Sequence, residues 1–339
     1  MSTPFNALEF KGVLFIGDPH LASKKPQRRL DSSFKGTVLD KLDQVVRIAN
    51  ENGLFPVIIG DLFNNEGEND LELLTKLSRI LKKFATPPAY LLGNHDLKES
   101  WMTDDTSIGL LIENGRLIPI SDKSLIEISC GALKVSIGGT NYGGIVPTKV
   151  TRDPTDISYR MWITHDDFDF KTAYPGAKAM HEIAGIDLVI NGHMHKPAPY
   201  VKKGGTTWVC PGNITRMSID CESQVPTVYE WNPNLIKNLA DTEVGLIPHP
   251  LKYTEVVFSK IGVQVSPGDA SVAVTELVAQ RHNEFAELLV AETALEATKT
   301  DSADLLNDTI VDAFAELNTT EPVKGVILEV YSRMKAKLG

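Results

Sequence analysis

Leu91-Leu92-Gly93-Asn94-His95-Asp96 is the stretch on which the reading of this chain turns. An apolar run over residues 89–92 lies between Pro87-Pro88 and Gly93, the pattern of a short buried strand flanked by turn residues. Asn94, His95 and Asp96 follow at once, three side chains able to bind a metal ion or move a proton. Open α/β folds bind their ligands at the carboxyl ends of buried strands. Taken alone, the tripeptide reads equally well as a solvated turn. What separates the two readings is whether the event recurs.

It recurs upstream. Residues 12–16, Gly-Val-Leu-Phe-Ile, run into Gly17-Asp18-Pro19-His20, where Asp18 and His20 stand two apart at a strand end and can face one ion. Residues 55–59 form a further apolar run, ending in Gly60-Asp61. Val38, Leu42, Val45, Val46 and Ala49 recur between them at helical spacing, with Gly53 as a stop signal. Leu73, Leu74, Leu77, Ile80, Leu81 and Phe84 mark a second helix. A βαβαβ order implies parallel strands joined by right-handed crossovers. Asp18, His20, Asp61, Asn94 and His95 are therefore expected along one sheet edge.

Past Trp101 the runs shorten. Residues 125–128 and 133–137, joined by Ser129-Cys130-Gly131-Ala132, suggest a second sheet. Residues 161–164 run into His165, residues 186–190 into Asn191-Gly192-His193-Met194-His195, and 206–209 into Cys210-Pro211-Gly212-Asn213; 227–231 closes the series. His20, His95, His165, His193 and His195 sit at expected strand ends, whereas His181, His249 and His282 read as ordinary surface or core residues. So large a set of nitrogen and oxygen donors exceeds the needs of one ion and suits two that share a carboxylate. Asp61 is the natural bridge.

The 339 residues suffice for a large domain with an appendage. Pro248 and Pro250 make residues 244–250 the best linker candidate, giving an expected two-metal domain over 1–243 and an extension over 244–339. In that extension a strand is expected over 253–258, and helices follow. Val323, Val326, Ile327, Val330, Tyr331 and Met334 form an amphipathic stripe, which packs on neighbouring helices or docks a partner. Cys130, Cys210 and Cys221 lack paired spacing and read as core thiols. No run approaches the length of a membrane span, so a cytoplasmic protein with no membrane partner is expected. The net charge of −10 argues against an overall basic nucleic-acid coat. It is uneven: residues 251–339 hold 8 Lys+Arg against 14 Asp+Glu, net −6, leaving 26 against 30, net −4, for residues 1–250. Two divalent cations would cancel that remainder.

In order, Asp18-Pro19-His20, Gly60-Asp61, Gly93-Asn94-His95-Asp96, His165 and Gly192-His193-Met194-His195 resemble the five motifs of the calcineurin-like metallophosphoesterases. The resemblance implies an α/β fold, a sandwich of two mixed sheets flanked by helices, here with a mainly helical C-terminal extension. It further implies that Asp18, His20, Asp61 and His195 hold one metal and Asp61, Asn94, His165 and His193 the other. His95 would be the proton donor, oriented by Asp96. Manganese is the expected metal, with iron, zinc or cobalt as alternatives. Two such ions supply an activated water and hold the phosphate oxygens.

Gly60-Asp61-Leu62-Phe63-Asn64-Asn65 lacks the Asp-Arg-Gly continuation of the Ser/Thr phosphatases, and Gly-Asn-His-Asp replaces their Gly-Asn-His-Glu. Gly-Asp-Leu-Phe, Gly-His-Met-His, the segment Pro211-Gly212-Asn213-Ile214-Thr215-Arg216 and a helix-rich tail are instead similar to the nuclease subunit of SbcCD-type DNA repair complexes, a group that includes bacteriophage recombination nucleases. That resemblance implies an exo- or endonuclease acting on DNA in recombination or repair, typically dimeric. Its partner would be a coiled-coil ABC-type ATPase bound through the C-terminal helices, and its compartment a host cytoplasm if the chain is of bacteriophage origin. The basic loop Lys24, Lys25, Arg28 and Arg29, together with Arg216, would contact the substrate, with solvated loop charge as the other reading. The alternative is a phosphodiesterase for small nucleotides, which needs neither the basic loop nor the long tail. A non-catalytic scaffold is the third reading, and a missing metal ligand would be its mark; none is missing.

Overall fold

The computed structural model describes residues 9–26, 29–98, 102–151, 157–170, 176–218, 221–236 and 244–253. Contacts divide the chain into 1–259 and 260–339, and every described residue belongs to the first unit. The helices expected in the tail, most of the strand expected at 253–258, and Arg28 lie outside the described residues.

Strand β1 (Glu9–Phe10) leads into β2 (Gly12–Ile16), which is buried along its whole length, as uninterrupted apolar runs in α/β sheets are. Helix α1 (Phe34–Asn52) follows. Ser33 opens it, its side chain accepting from the Gly36 N–H, and Gly53 closes it in the left-handed conformation at φ 66°. The expected stripe of Val38, Leu42, Val45, Val46 and Ala49 is buried. Strand β3 (Leu54–Ile58) lies parallel to β2. Helix α2 (Leu71–Leu81), capped by Asp70 accepting from the Leu73 N–H, returns the chain to β4 (Ala89–Tyr90), parallel to β3. The βαβαβ unit is thus present.

Alternation along these strands builds two cores. Leu14, Ile16, Leu54 and Ile58 face α1 and α2, together with Ile108 and Leu111 of α3 (Ser107–Glu113), a short helix that the sequence pattern did not suggest. Val13, Phe15, Phe55 and Val57 face the other way, onto a second sheet. The first sheet is completed by β5 (Ile118–Pro119), β12 (Thr227–Trp231) and β13 (Leu246–Pro250), in the order β13-β12-β2-β3-β4-β5. The second contains β6 (Ile126–Cys130), β7 (Leu133–Thr140), β8 (Tyr159–His165), β9 (Leu188–Gly192), β10 (Ala198–Lys203) and β11 (Thr206–Cys210), in the order β1-β6-β7-β8-β9-β11-β10. Both sheets are mixed, and their inner faces share Ile126, Val135, Met161, Ile163, Leu188 and Ile190. Phe168, Met180, Ile183 and Trp208 belong to a third cluster with Trp162 and Val189 of β8 and β9. The architecture is the expected α/β sandwich of two mixed sheets flanked by helices.

The expected linker is a correction. Residues 244–250 do not leave the domain at 243: β13 pairs antiparallel with β12, from Trp231 opposite Leu246 to Thr227 opposite Pro250. Pro248 and Pro250 mislead because proline is tolerated on an edge strand, and β13 is an edge. Of the rest, β2 and β12 match their expected residues, and β3, β8 and β9 differ by one or two residues at each end.

Gly53→Ala should lower unfolding stability by about 1 kcal/mol, the cost of a Cβ in the left-handed region. A denaturant midpoint checks it, and metal content should not change because a Cβ at Gly53 would meet only the Lys11 side chain.

Candidate metal centre

Parallel pairing brings the ligand-bearing strand ends together. Ile16 lies opposite Ile58 in the first sheet, and His165 opposite Gly192 in the second. Just past these ends the backbone bends. His20 at φ 46°, Asp61 at φ 46° and His193 at φ 68° are the non-glycine residues with positive φ among the described residues. Such strain concentrates where function over-determines the backbone. Gly60, at φ 119°, is needed for a second reason: a Cβ there would lie 2.1 Å from His165 Nδ1. The glycine lets that imidazole pass beneath the β3 terminus.

Two donor clusters result. Asp18, His20 and His195 bring ligand atoms within 4.8 Å of one another, as do Asp61, His165 and His193, while Asp61 also groups with His20 and His95. Asp61 Oδ2 lies 3.7 Å from His20 Nε2 and 3.1 Å from His165 Nε2, so one carboxylate touches both clusters. Asn94 joins the second through Oδ1, 2.9 Å from His193 Nδ1. All seven ligand candidates from the sequence are therefore brought together.

Hydrogen bonding tests whether cations fit. His165 Nδ1 is 2.8 Å from the Ile59 carbonyl, which can only accept, so this nitrogen carries the proton. In the neutral ring the Nε2 lone pair then faces the Asp61 carboxylate, and Nε2 has no hydrogen-bond partner despite the 3.1 Å approach. His193 Nε2 lies 3.3 Å from Asp167 Oδ2, which likewise turns its Nδ1 lone pair on Asn94 Oδ1. His20 Nε2 and His195 Nε2 face each other at 2.9 Å. Buried Asp18 Oδ1 has no partner. Acceptors set against acceptors in a buried site are costly unless a cation or a proton lies between them. Mixed imidazole and carboxylate oxygen donors suit manganese, iron, zinc or cobalt.

The charge balance agrees. Burial pushes the Asp18 carboxyl up to about 7, against the pull of His165. Burial opposes a charged His165 too, yet the Asp18 and Asp61 carboxylates outweigh it and raise the ring to about 9. For Asp61 burial is likewise outweighed, by His165 first, and its pKa falls below the ordinary value. Burial lowers His20 and His193, and brings His195 to about 4. Without cations, a charged His165 is the largest single influence that keeps these carboxylates ionised.

Two expectations need correction. Asp96 does not orient His95: its Oδ2 accepts from the Tyr90 hydroxyl, the Gly93 N–H at 2.8 Å and the Asp61 N–H at 3.1 Å. It is a buried brace whose carboxyl is raised to about 7 by burial and then by Asp61. The His95 ring is held by the Asn64 carbonyl, 2.9 Å from Nδ1, and stands edge-on to His20 at 5.0 Å. Arg29 and Arg216, expected on the substrate, are buried. Arg29 Nε pairs with Asp31 at 2.7 Å and its Nη1 donates to the Arg216 carbonyl at 2.6 Å. Arg216 donates to the Glu222 carbonyl and lies 4.3 Å over the Tyr253 ring. Burial with internal partners makes both structural. Lys24 and Lys25 are exposed, Lys25 donating to the Asp31 carbonyl at 3.4 Å.

The structure adds residues that sequence reasoning passed over. Fully buried Asn191 accepts from Thr164 Oγ1 and the Asp166 N–H and donates to the Asp166 and Gly192 carbonyls, clamping the ends of β8 and β9. Asp167 supports His193 as carboxylates support metal-binding histidines. Its place two residues after His165 was the available signal.

The sequence matches the calcineurin-like phosphoesterase family over residues 12–197, more than half of the chain, and the chain belongs to that family. The members of that family are phosphoesterases that depend on divalent metal ions. No curated protein matches the chain. Among solved structures, a 5'-nucleotidase precursor from Thermus thermophilus is similar over 73% of this chain and 54% of its own at 15% identity, with a TM-score of 0.40. This chain spans about half the length of that protein. No helix among the described residues is long and apolar enough to cross a membrane.

Adding manganese to chelator-treated protein should raise its melting temperature. Cation at one hundred times its Kd contributes about 2.7 kcal/mol per independent site. Asp61→Ala should lose most of that gain and at least one ion by elemental analysis. Two ions retained by the variant would refute the shared carboxylate.

Proposed function

We propose that the chain is a DNA exo- or endonuclease that hydrolyses phosphodiester bonds at this centre, as a subunit in recombination or repair. The observation carrying the proposal is an open centre beside exposed base. Asn94, His95, His193 and His195 are only half-buried, so a polymer backbone has access. Lys24 and Lys25 are exposed four and five residues after His20. Arg29 ties their loop to Asp31 and residue 216, which suits it to contact flanking phosphates. Docking to a coiled-coil ABC-type ATPase through the residues beyond 253, and dimerisation, belong to the same proposal.

Bound divalent ions supply activated water and neutralise the phosphate charge. The chain's own residues do the rest. Asp61 holds the two clusters in register. His95 donates from Nδ1 to the Asn64 carbonyl, which leaves Nε2 as the nitrogen that carries a proton to the departing oxygen. Asp96 keeps the Asn94-His95 turn closed through its bonds to Gly93 and Asp61.

Purified protein with manganese should cleave linear duplex or single-stranded DNA. Hydrolysis of small nucleotide diesters with DNA left intact would establish the alternative phosphodiesterase. His95→Asn should keep both ions and lower kcat on DNA roughly 10²- to 10⁴-fold, with a much smaller loss on a p-nitrophenyl diester, whose leaving group needs little protonation. Equal losses on both substrates would remove His95 from the role of proton donor.

A further inference from the structure

Beyond β7 the chain reads Asn141-Tyr142-Gly143-Gly144-Ile145, a segment outside the family motifs. Two hydrogen bonds stitch it to the residue before Gly93: the Leu92 N–H donates to Asn141 Oδ1 at 3.2 Å, and the Tyr142 N–H to the Leu92 carbonyl at 3.1 Å. Gly143 then turns the chain at φ 74°, and the Gly144 N–H donates back to the Asn141 carbonyl at 3.0 Å. The loop is therefore registered against the strand that delivers Asn94 and His95.

This anchoring sets the Tyr142 ring 5.5 Å from the His193 ring and 6.5 Å from that of His165. Yet 39% of the residue is open to solvent, and it belongs to none of the hydrophobic clusters. An aromatic side chain placed there contributes little to the core. What it offers is a π-face at the rim of a phosphoester centre, and nucleobases stack on such faces with little sequence preference.

We propose that Tyr142 is a stacking platform for the nucleobase next to the phosphate held at the metal centre. This deepens the functional reading and rests on its nucleotide part alone, because DNA and small nucleotides present the same base beside the same phosphate. The ring, not the hydroxyl, is the working group. Tyr142 acts by positioning substrate.

The test is calorimetric binding of thymidine 5'-monophosphate and of inorganic phosphate to the full-length, manganese-loaded protein, in wild type, Tyr142→Phe and Tyr142→Ala. The wild type should bind the nucleotide more tightly than phosphate. Tyr142→Ala should weaken nucleotide binding about 5- to 100-fold, the range for one stacked base, and leave phosphate within about twofold. Tyr142→Phe should resemble the wild type. Equal weakening of both ligands, an unchanged nucleotide affinity in Tyr142→Ala, or a wild type that binds the two alike would each overturn the platform. A protein that passes this test but leaves DNA intact would refute the nuclease reading while keeping the platform.

Discussion

The Asp61 carboxylate faces His165 Nε2 at 3.1 Å and His20 Nε2 at 3.7 Å with all three groups buried, and the surrounding structure depends on how this opposition is resolved. Lone pairs set against lone pairs in a medium of low dielectric repel unless positive charge lies between them. The backbone is also held against its preference there, since His20, Asp61 and His193 adopt positive φ at about 1–3 kcal/mol each. A site that gathers acceptors and strain in one place is stable when a cation fills it and marginal when it is empty.

The fold meets this cost with rigidity on both sides. Each ligand strand is buried on two faces, β2, β3 and β4 between the helix-side and inter-sheet cores, β8 and β9 between the inter-sheet core and the third cluster, so a shift at one terminus would disturb close-packed side chains. Polar braces then lock the turns. Asn191 joins the ends of β8 and β9 with four hydrogen bonds. Asp96, with Tyr90, ties the 94–96 turn to the backbone of Asp61. Ile59, Asn64 and Asp167 present acceptors to His165, His95 and His193 respectively, which decides which nitrogen of each ring carries the proton.

The ligand-bearing strands were legible because their chemistry is local. Residues 12–16 are apolar, buried throughout and followed at once by Asp18 and His20, and the same punctuation precedes Asp61, Asn94 and His193. What was not legible depends on direction or on distant partners. Asp96 was expected on His95, its neighbour, but the tight turn points its carboxylate inward to Tyr90. Arg29 and Arg216 read as surface charge because nothing local reveals that Asp31 and two backbone carbonyls 187 and 6 residues away would receive them. Strand β10 is half-exposed and carries no apolar alternation, and β13 hid behind two prolines. Tyr142 gave no signal beyond its glycines.

The central claim is that two ions share the carboxylate of Asp61, and electron paramagnetic resonance of the manganese-loaded protein tests it most directly. A bridged pair should give the broad multiline signal of exchange-coupled manganese, reached at two ions per chain. The isolated six-line spectrum of single manganese ions, unchanged as the protein is filled to that ratio, would contradict the account.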